Sequence, residues 1–140
     1  MRFIFSDDQE ELRRTVRRFL EDRSPAVEVR RLMATDQGYD ADVWAQMARD
    51  LGLLGLLVPE ACGGAGLGPI EQLVVLEEMG RALLCAPYLA SAILAVHALR
   101  ESGDEEAQGD LLPALASGSS IATLAVTEAD GRWATDRLET

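Results

Sequence analysis

The sequence contains no lysine, because all 13 of its basic residues are arginine. A phosphate-binding loop of the Walker type needs a lysine at its end, and Schiff-base chemistry needs a lysine amine as the nucleophile. Both chemistries are therefore excluded for this chain. Regulation by lysine acetylation is excluded for the same reason.

Cysteine and histidine are also scarce. The two cysteines, Cys62 and Cys85, form no C-x-x-C pair, which fits free thiols in a reducing compartment. The single histidine, His97, has no second ligand at metal-binding spacing, so we interpret it as structural and predict no metal site. The serine-rich turn at residues 117–120 lacks the G-x-S-x-G pattern of a nucleophilic serine. We therefore identify no catalytic residue in this chain.

The chain is acidic, with a formal net charge of -11. Nucleic-acid binding depends on clustered cations that release counterions from phosphates, so we exclude nucleic acid as a partner. No apolar run approaches the ~20 residues that cross a bilayer, and we expect a soluble domain with no membrane span. The start MRFIF leads directly into acidic residues, unlike a signal peptide, so we expect a cytoplasmic location.

Helical periodicity dominates the first third of the chain. Ser6 and Gln9 have the spacing of a capping box, and apolar residues then recur every three or four positions. Three helices are predicted here: Asp7 to about Asp22, Pro25 to Met33, and a third that starts after Asp40 or Asp42 and ends at Gly52.

Helical spacing returns after residue 68. Three further helices are predicted: one from Pro69 with the pattern Leu73, Leu76, Gly80, Leu83, Leu84, one from Pro87 to about Arg100, and one that contains Ala107, Leu111, Leu112 and Leu115. Glu77 and Glu78 are adjacent, so their side chains diverge by about 100° around a helix. We expect both glutamates to be surface and rim groups. We expect the basic cluster Arg13, Arg14, Arg17, Arg18 to form one exposed helical face.

The loop VPEACGGAGLGP, from Val58 to Pro69, holds four glycines within six residues. It permits two interpretations. A helix that opens at Pro69 attracts anions to its N-terminus, which favours a phosphate cradle. The G-x-G-x-x-G spacing fails, however, which favours a tight structural connection. The apolar run Leu53 to Val58 before it is too short to be assigned as strand or helix.

The period changes to two at IATLAVT, Ile121 to Thr127, which predicts a β-strand. A lone strand leaves a row of unpaired backbone groups. We therefore expect this strand to begin a second, β-rich unit that the 140 residues do not complete.

Several stretches of the sequence form a distinctive ordered set. They are FSDDQEELRRTVRRFL, WAQM, LGLLGLLVPEACGGAGLG, VVLEEMGRALLCAPYLASA, LLPALASG and IATLAVTEADGRW. In this order and spacing they resemble the acyl-CoA dehydrogenase family. The resemblance runs from about Phe3 to Trp133. It implies an all-α N-terminal domain of about five to six helices over residues 1–118, in which the glycine loop is a turn between helices. Residues 119–140 then carry one β-strand that starts a β-barrel domain, of which the rest is missing.

The resemblance also implies a function. Family members oxidise an acyl-CoA thioester between its α and β carbons: a glutamate removes the α-hydrogen, and the flavin of FAD accepts the β-hydride. Electrons then pass to an electron-transfer flavoprotein. That glutamate belongs to a C-terminal domain, so no residue of this chain takes its role. Fatty acyl, branched-chain acyl and sterol side-chain thioesters are all open as substrates.

Two groups of site residues follow from the resemblance. Leu124, Val126 and Thr127 take the positions that contact the flavin, although Leu124 and Val126 also suit plain sheet packing. The helix after Pro87 resembles the element beside the acyl tail. Its candidate substrate-pocket residues are Tyr88, Leu89, Ser91, Ala92 and Ala95, for which ordinary core packing is the alternative.

The sequence departs from the family at one place. The flavin-contacting motif T-E-P-x-A-G-S-D becomes TEADGRW here, with Ala129 in place of the proline. Similar G-R-W variants occur in divergent members that we expect to act in heteromeric enzymes. FAD binding is therefore expected only together with the remainder of the enzyme or a partner chain, in a homo- or hetero-oligomer. The alternative is a non-catalytic helical interaction subunit.

Overall fold

The computed structural model describes residues 4–125 and 127. Within this part of the chain there are six α-helices: α1 (Asp7–Arg23), α2 (Ala26–Met33), α3 (Ala41–Arg49), α4 (Pro69–Arg81), α5 (Val96–Glu101) and α6 (Glu105–Ala116). A π-helical segment, Leu89–Ala95, leads directly into α5. Short 3-10 turns at Leu53–Gly55 and Glu60–Cys62 lie between α3 and α4. The predicted all-α fold class is confirmed.

Helix α1 starts where its capping box predicts. The hydroxyl of Ser6 accepts a hydrogen bond from the Gln9 amide at 3.2 Å, and the Gln9 side chain accepts one from the Ser6 amide at 3.0 Å. These two bonds satisfy backbone donors that a helix N-terminus otherwise leaves free. Val16 and Leu20 are then fully buried on one face. The predicted end near Asp22 is correct to one residue.

The main hydrophobic core lies between α1, α3, α4 and the apolar run after α3. Its buried members are Val16, Leu20, Trp44, Met47, Ala48, Leu53, Leu54, Leu56, Val75, Met79, Tyr88, Ala92 and Ile93. All six residues from Leu53 to Val58 are buried, and Gly52 ends the preceding helix at a φ of 62°. The short apolar run is therefore a buried turn rather than a strand.

A second, smaller core joins the π-helical segment and α5 to α6. Its buried members are Leu57, Val58, Ala95, Val96, Leu112, Leu115 and Ala116. The run Leu53 to Val58 contributes to both cores, so it fixes the position of the C-terminal helices relative to the N-terminal ones.

The buried face of α4 differs from its most obvious apolar pattern. Leu73 and Leu83 are 62% and 70% exposed. The side chains that α4 buries are Gln72, Val74, Val75, Glu78 and Met79. Apolar residues occur on more than one side of this helix, and the packing of α1 along it decides which side is covered. The expectation that Glu78 is a surface group is therefore wrong.

The expectation that the four arginines of α1 form one exposed face fails for Arg13. Arg13 and Arg17 reach across to Glu77 and Glu78 of α4, and the side chain of Arg13 is only 16% exposed. Arg14, Arg17 and Arg18 are exposed as expected. Arg13 and Arg17 therefore join α1 to α4 through ion pairs, and the cluster is not a phosphate site.

The strand predicted for Ile121 to Thr127 stays a prediction. Residues 121–125 and 127 have no regular secondary structure, and Val126 lies outside the described residues. A β-strand forms its ladder only with a neighbouring strand. The described part of the chain supplies the helical domain and offers no such neighbour.

Candidate functional site

The glycine loop is not arranged to bind phosphate. Ala65, Gly66 and Leu67 donate their backbone amides to carbonyls of the Leu53–Val58 run, at 2.7 to 2.9 Å. The amides that a phosphate would need are thus already used. A side chain at Gly64 would overlap the carbonyl of Val58, so the loop lies directly against this run.

The N-terminus of α4 is also occupied. The carboxylate of Glu71 accepts hydrogen bonds from the Gly68 amide at 3.1 Å and from the Gln9 side chain at 2.7 Å. The Gln9 bond lowers the pKa of Glu71. A carboxylate of the protein therefore takes the place that an anionic ligand would occupy, and the loop is a structural connection between helices.

Glu78 is the most deeply buried charged group among the described residues, at 1% exposure. Arg17 binds both carboxylate oxygens, at 2.9 and 2.6 Å, and Arg81 donates a further hydrogen bond at 2.8 Å. These contacts, led by the Arg17 hydrogen bonds, lower the pKa of Glu78 to about 2. The carboxylate is permanently ionised near neutral pH and holds α1 against α4, which suits a structural role rather than proton transfer.

The described residues contain neither a metal-binding cluster of histidine, cysteine or carboxylate groups nor a helix long and apolar enough to cross a membrane. His97 lies with Nε2 3.5 Å from the side-chain oxygen of Gln72 and is partly buried. Both free cysteines are also partly buried.

The five predicted substrate-pocket residues lie on or just before the π-helical segment. Four of them, Tyr88, Ser91, Ala92 and Ala95, face the interior of the domain. Tyr88 donates its hydroxyl to the Leu53 carbonyl at 3.0 Å, and burial raises the pKa of this phenol. Contacts within this chain thus account for the burial of these four side chains.

Leu89, the fifth predicted pocket residue, is 57% exposed. It borders a cleft of about 250 Å³ between the end of α4 and the π-helical segment, with Leu76, Leu83 and Leu84 among the lining residues. π-helical turns are rare and are frequently found at functional sites. Tyr88 also lines this cleft, but Leu89 is the one exposed residue among the five predicted pocket residues.

Leu83 lines this cleft and has an unusual backbone conformation. It follows the end of α4 with a φ of 51°, the left-handed conformation that favours glycine. Its amide bonds to Gly80 at 3.1 Å, and the Leu84 amide bonds to Met79 at 3.0 Å. This is the Schellman arrangement, in which glycine is the usual residue. The backbone therefore holds an exposed leucine in a strained position beside Leu89.

The chain leaves the helical body through residues 117–125, which we call the exit segment. Gly118 has a φ of 73°, and its carbonyl accepts a hydrogen bond from the indole of Trp44 at 3.1 Å. The Ser120 amide donates to the Ala114 carbonyl at 3.2 Å. These bonds fix the start of the exit segment against α3 and α6.

One further bond fixes the exit segment to the π-helical segment. The Ala122 amide donates to the hydroxyl of Ser91 at 3.2 Å. The predicted flavin contacts follow at once: Leu124 is 42% exposed and Thr127 is exposed, while Val126 lies outside the described residues. The structure thus brings one predicted pocket residue, Ser91, to within two residues of a predicted flavin contact.

Sequence reasoning missed the contacts that join distant segments. Ser91 and Ala122 are 31 residues apart, and Arg17 and Glu78 are 61 apart. The only local signal was the spacing of Glu78 and Arg81, which are three residues apart on one helix. That spacing predicts a pair but not its burial.

Comparison with known proteins gives one family. The family model described as acyl-CoA dehydrogenase, N-terminal domain, matches residues 6–119. Acyl-CoA dehydrogenase IpdE2 of Mycobacterium tuberculosis is 36% identical over 118 residues, which cover 84% of this chain and 36% of that protein. The chain therefore spans about a third of the length of this curated relative.

Two solved structures show the same fold. The ChsE4-ChsE5 complex from Mycobacterium tuberculosis matches with a TM-score of 0.83 and 31% identity, over 94% of this chain and 36% of that chain. An acyl-CoA dehydrogenase complexed with FAD from Bacillus anthracis matches with a TM-score of 0.75 and 27% identity, over 90% of this chain and 21% of that chain.

Proposed function

The chain belongs to the acyl-CoA dehydrogenase family, and we propose that it is the N-terminal part of an FAD-dependent subunit that oxidises an acyl-CoA thioester between its α and β carbons. The observation that supports this most strongly is the combination of a family match over residues 6–119 with an exit segment that leaves the helical body directly afterwards. Residues 1–118 form the helical domain in this proposal, and residues 119–140 begin the flavin-binding domain.

The exit segment suits one edge of a flavin site. Residues 123–125 and 127 make no hydrogen bond to the helical body, so their polar groups are available to a ligand. In this proposal Leu124, Val126 and Thr127 would hold one edge of the flavin, and the hydroxyl and amide of Thr127 would supply hydrogen bonds to its pyrimidine ring. FAD, when bound, supplies the acceptor for the β-hydride. This chain contributes cofactor contacts and no base.

The apolar cleft at Leu89 forms part of the wall beside the acyl tail. Four residues pack into the helical body behind that wall and support it: Tyr88, Ser91, Ala92 and Ala95.

The proposed substrate is an acyl-CoA, and an electron-transfer flavoprotein accepts the electrons. We propose the cytoplasm as the location.

A partner subunit completes the site in this proposal. The similar ChsE4-ChsE5 structure is a complex of two proteins. The 140 residues span about a third of the curated relative, and the remaining barrel, helices and base of the proposed enzyme lie outside them. The assembly is accordingly a homo- or hetero-oligomer of acyl-CoA dehydrogenase subunits.

The test uses the chain alone and the chain mixed with a full-length acyl-CoA dehydrogenase subunit from the same organism. We expect the mixture to co-elute, to show the visible absorbance of a bound flavin, and to reduce a dye when an acyl-CoA is added. Co-elution with flavin but without dye reduction by any acyl-CoA would contradict the proposed reaction.

A non-catalytic interaction subunit is the second candidate. The observation that favours it is that the exposed residues Leu83 and Leu89 line one apolar cleft, since exposed apolar patches mark protein-binding surfaces. The same mixture separates the two proposals. A stable complex whose partner holds the same flavin and has the same activity with or without this chain would support the interaction subunit.

A further inference from the structure

Ser91 is an isolated polar side chain on an apolar helix. The π-helical segment reads LASAILA, and every other residue in it is leucine, isoleucine or alanine. The Ser91 side chain is 1% exposed, so its hydroxyl has left water. Burying a hydroxyl costs free energy unless it finds a hydrogen-bonding partner. Its neighbours Ala90 and Ala92 show that alanine is compatible with this helix.

The partner of that hydroxyl is the exit segment. The Ala122 amide donates to Ser91 Oγ at 3.2 Å, and Ala122 packs against the smaller hydrophobic core. Ala122 is the last residue of the described exit segment with a hydrogen bond to the helical body. The bond thus defines the point from which the chain departs.

The distance from that point to the flavin contacts is short. Leu124 lies two residues beyond Ala122, which an extended backbone spans in at most ~7 Å. Thr127 lies five residues beyond, or ~17 Å at ~3.3 Å per residue. A displacement of the Ala122 backbone is therefore expected to move Leu124 as well.

We propose that Ser91 is a positioning residue, which holds the Ala122 amide so that the exit segment delivers Leu124 and Thr127 to the flavin. This inference rests on the proposed function. It changes the role of Ser91 from a wall of the acyl pocket to a tether of the cofactor segment. Ser91 does not touch the cofactor itself.

The first arm of the test needs only this chain. Ser91→Ala removes the acceptor and leaves the Ala122 amide without a partner. We expect hydrogen exchange at Ala122 to become about five-fold faster, the factor that corresponds to ~1 kcal/mol for one hydrogen bond. Unchanged exchange at Ala122 would overturn the tether.

Ser24→Ala is the matched control. Ser24 is also buried and also uses its hydroxyl, which donates to the Ala82 carbonyl at 3.2 Å, but it lies at the end of α1. The two variants make the same chemical change at similar burial. Ser24→Ala is expected to leave exchange at Ala122 unaltered.

The second arm measures flavin in the assembly with the partner subunit. We expect Ser91→Ala to weaken FAD retention about five-fold and to change the flavin fluorescence, and Ser24→Ala to do neither. Equal retention by both variants, together with faster exchange in Ser91→Ala, would overturn the positioning role. An assembly of the unaltered chain that lacks flavin would refute the proposed function and the positioning role with it, whereas the exchange result would still decide the tether.

Discussion

Replacing Glu78 by glutamine tests whether the buried ion pair joins α1 to α4. The substitution keeps the shape of the side chain and removes its charge. Two arginines hold the carboxylate, with Arg17 on both oxygens. A pKa of about 2, compared with about 4.3 for an unperturbed glutamate, corresponds to roughly 3 kcal/mol. Because both arginines are partly exposed, screening reduces this to about 2 kcal/mol.

The pH dependence has a defined sign. The folded pKa of Glu78 lies below its unfolded value, so the carboxylate stabilises the fold above the unfolded pKa of about 4.3 and loses this effect as the pH falls toward 2. Urea unfolding at pH 7 is expected to show a loss of about 2 kcal/mol for Glu78→Gln. At pH 3.5 the difference between the two proteins should be smaller by roughly a third.

Glu11→Gln is the control for this experiment. Glu11 pairs with Arg14 on the surface of α1, where both side chains are mostly exposed. Little change in stability is expected from it. Equal effects of the two substitutions at pH 7, or a loss for Glu78→Gln that does not shrink at pH 3.5, would refute the account of the buried pair.

Two further predictions concern the backbone. Leu83→Gly should raise the free energy of unfolding of the isolated chain by about 0.5–1 kcal/mol, since it relieves the left-handed conformation of an exposed side chain; a loss of stability would show that Leu83 contributes more by packing than it costs in strain. Gly64→Ala should lower the free energy of unfolding by more than ~2 kcal/mol, because the new Cβ would overlap the Val58 carbonyl. Gly109→Ala, in open space on α6, should raise it by about 0.5–1 kcal/mol. Thermal unfolding measures both glycine variants, and equal midpoints would contradict the close approach of the glycine loop.

Local signals predicted the helices well. The capping box at Ser6 and Gln9, and the side chain of Asp40 that caps α3, each mark a helix start because the bonds involved lie within three residues. Pro69 marks the start of α4, because the first residue of a helix does not need an amide proton.

Burial on α4 could not be read from its sequence. Leu73 is apolar and exposed, whereas Gln72 and Glu78 are polar and buried. The side of α4 that is covered depends on α1, whose Arg17 is 61 residues away from Glu78. The hydrogen bond between Ser91 and Ala122 could not be predicted for the same reason: the two residues are 31 apart, and no local sequence pattern connects them.

The central claim, that this chain supplies part of a flavin site, is tested most directly at Thr127. FAD content per assembly is measured after gel filtration for the unaltered chain and for Thr127→Val, with Thr15→Val on the exposed side of α1 as the control. We predict that the assembly retains flavin, that Thr127→Val lowers its content several-fold, and that Thr15→Val does not. Unchanged flavin content in Thr127→Val would contradict the claim.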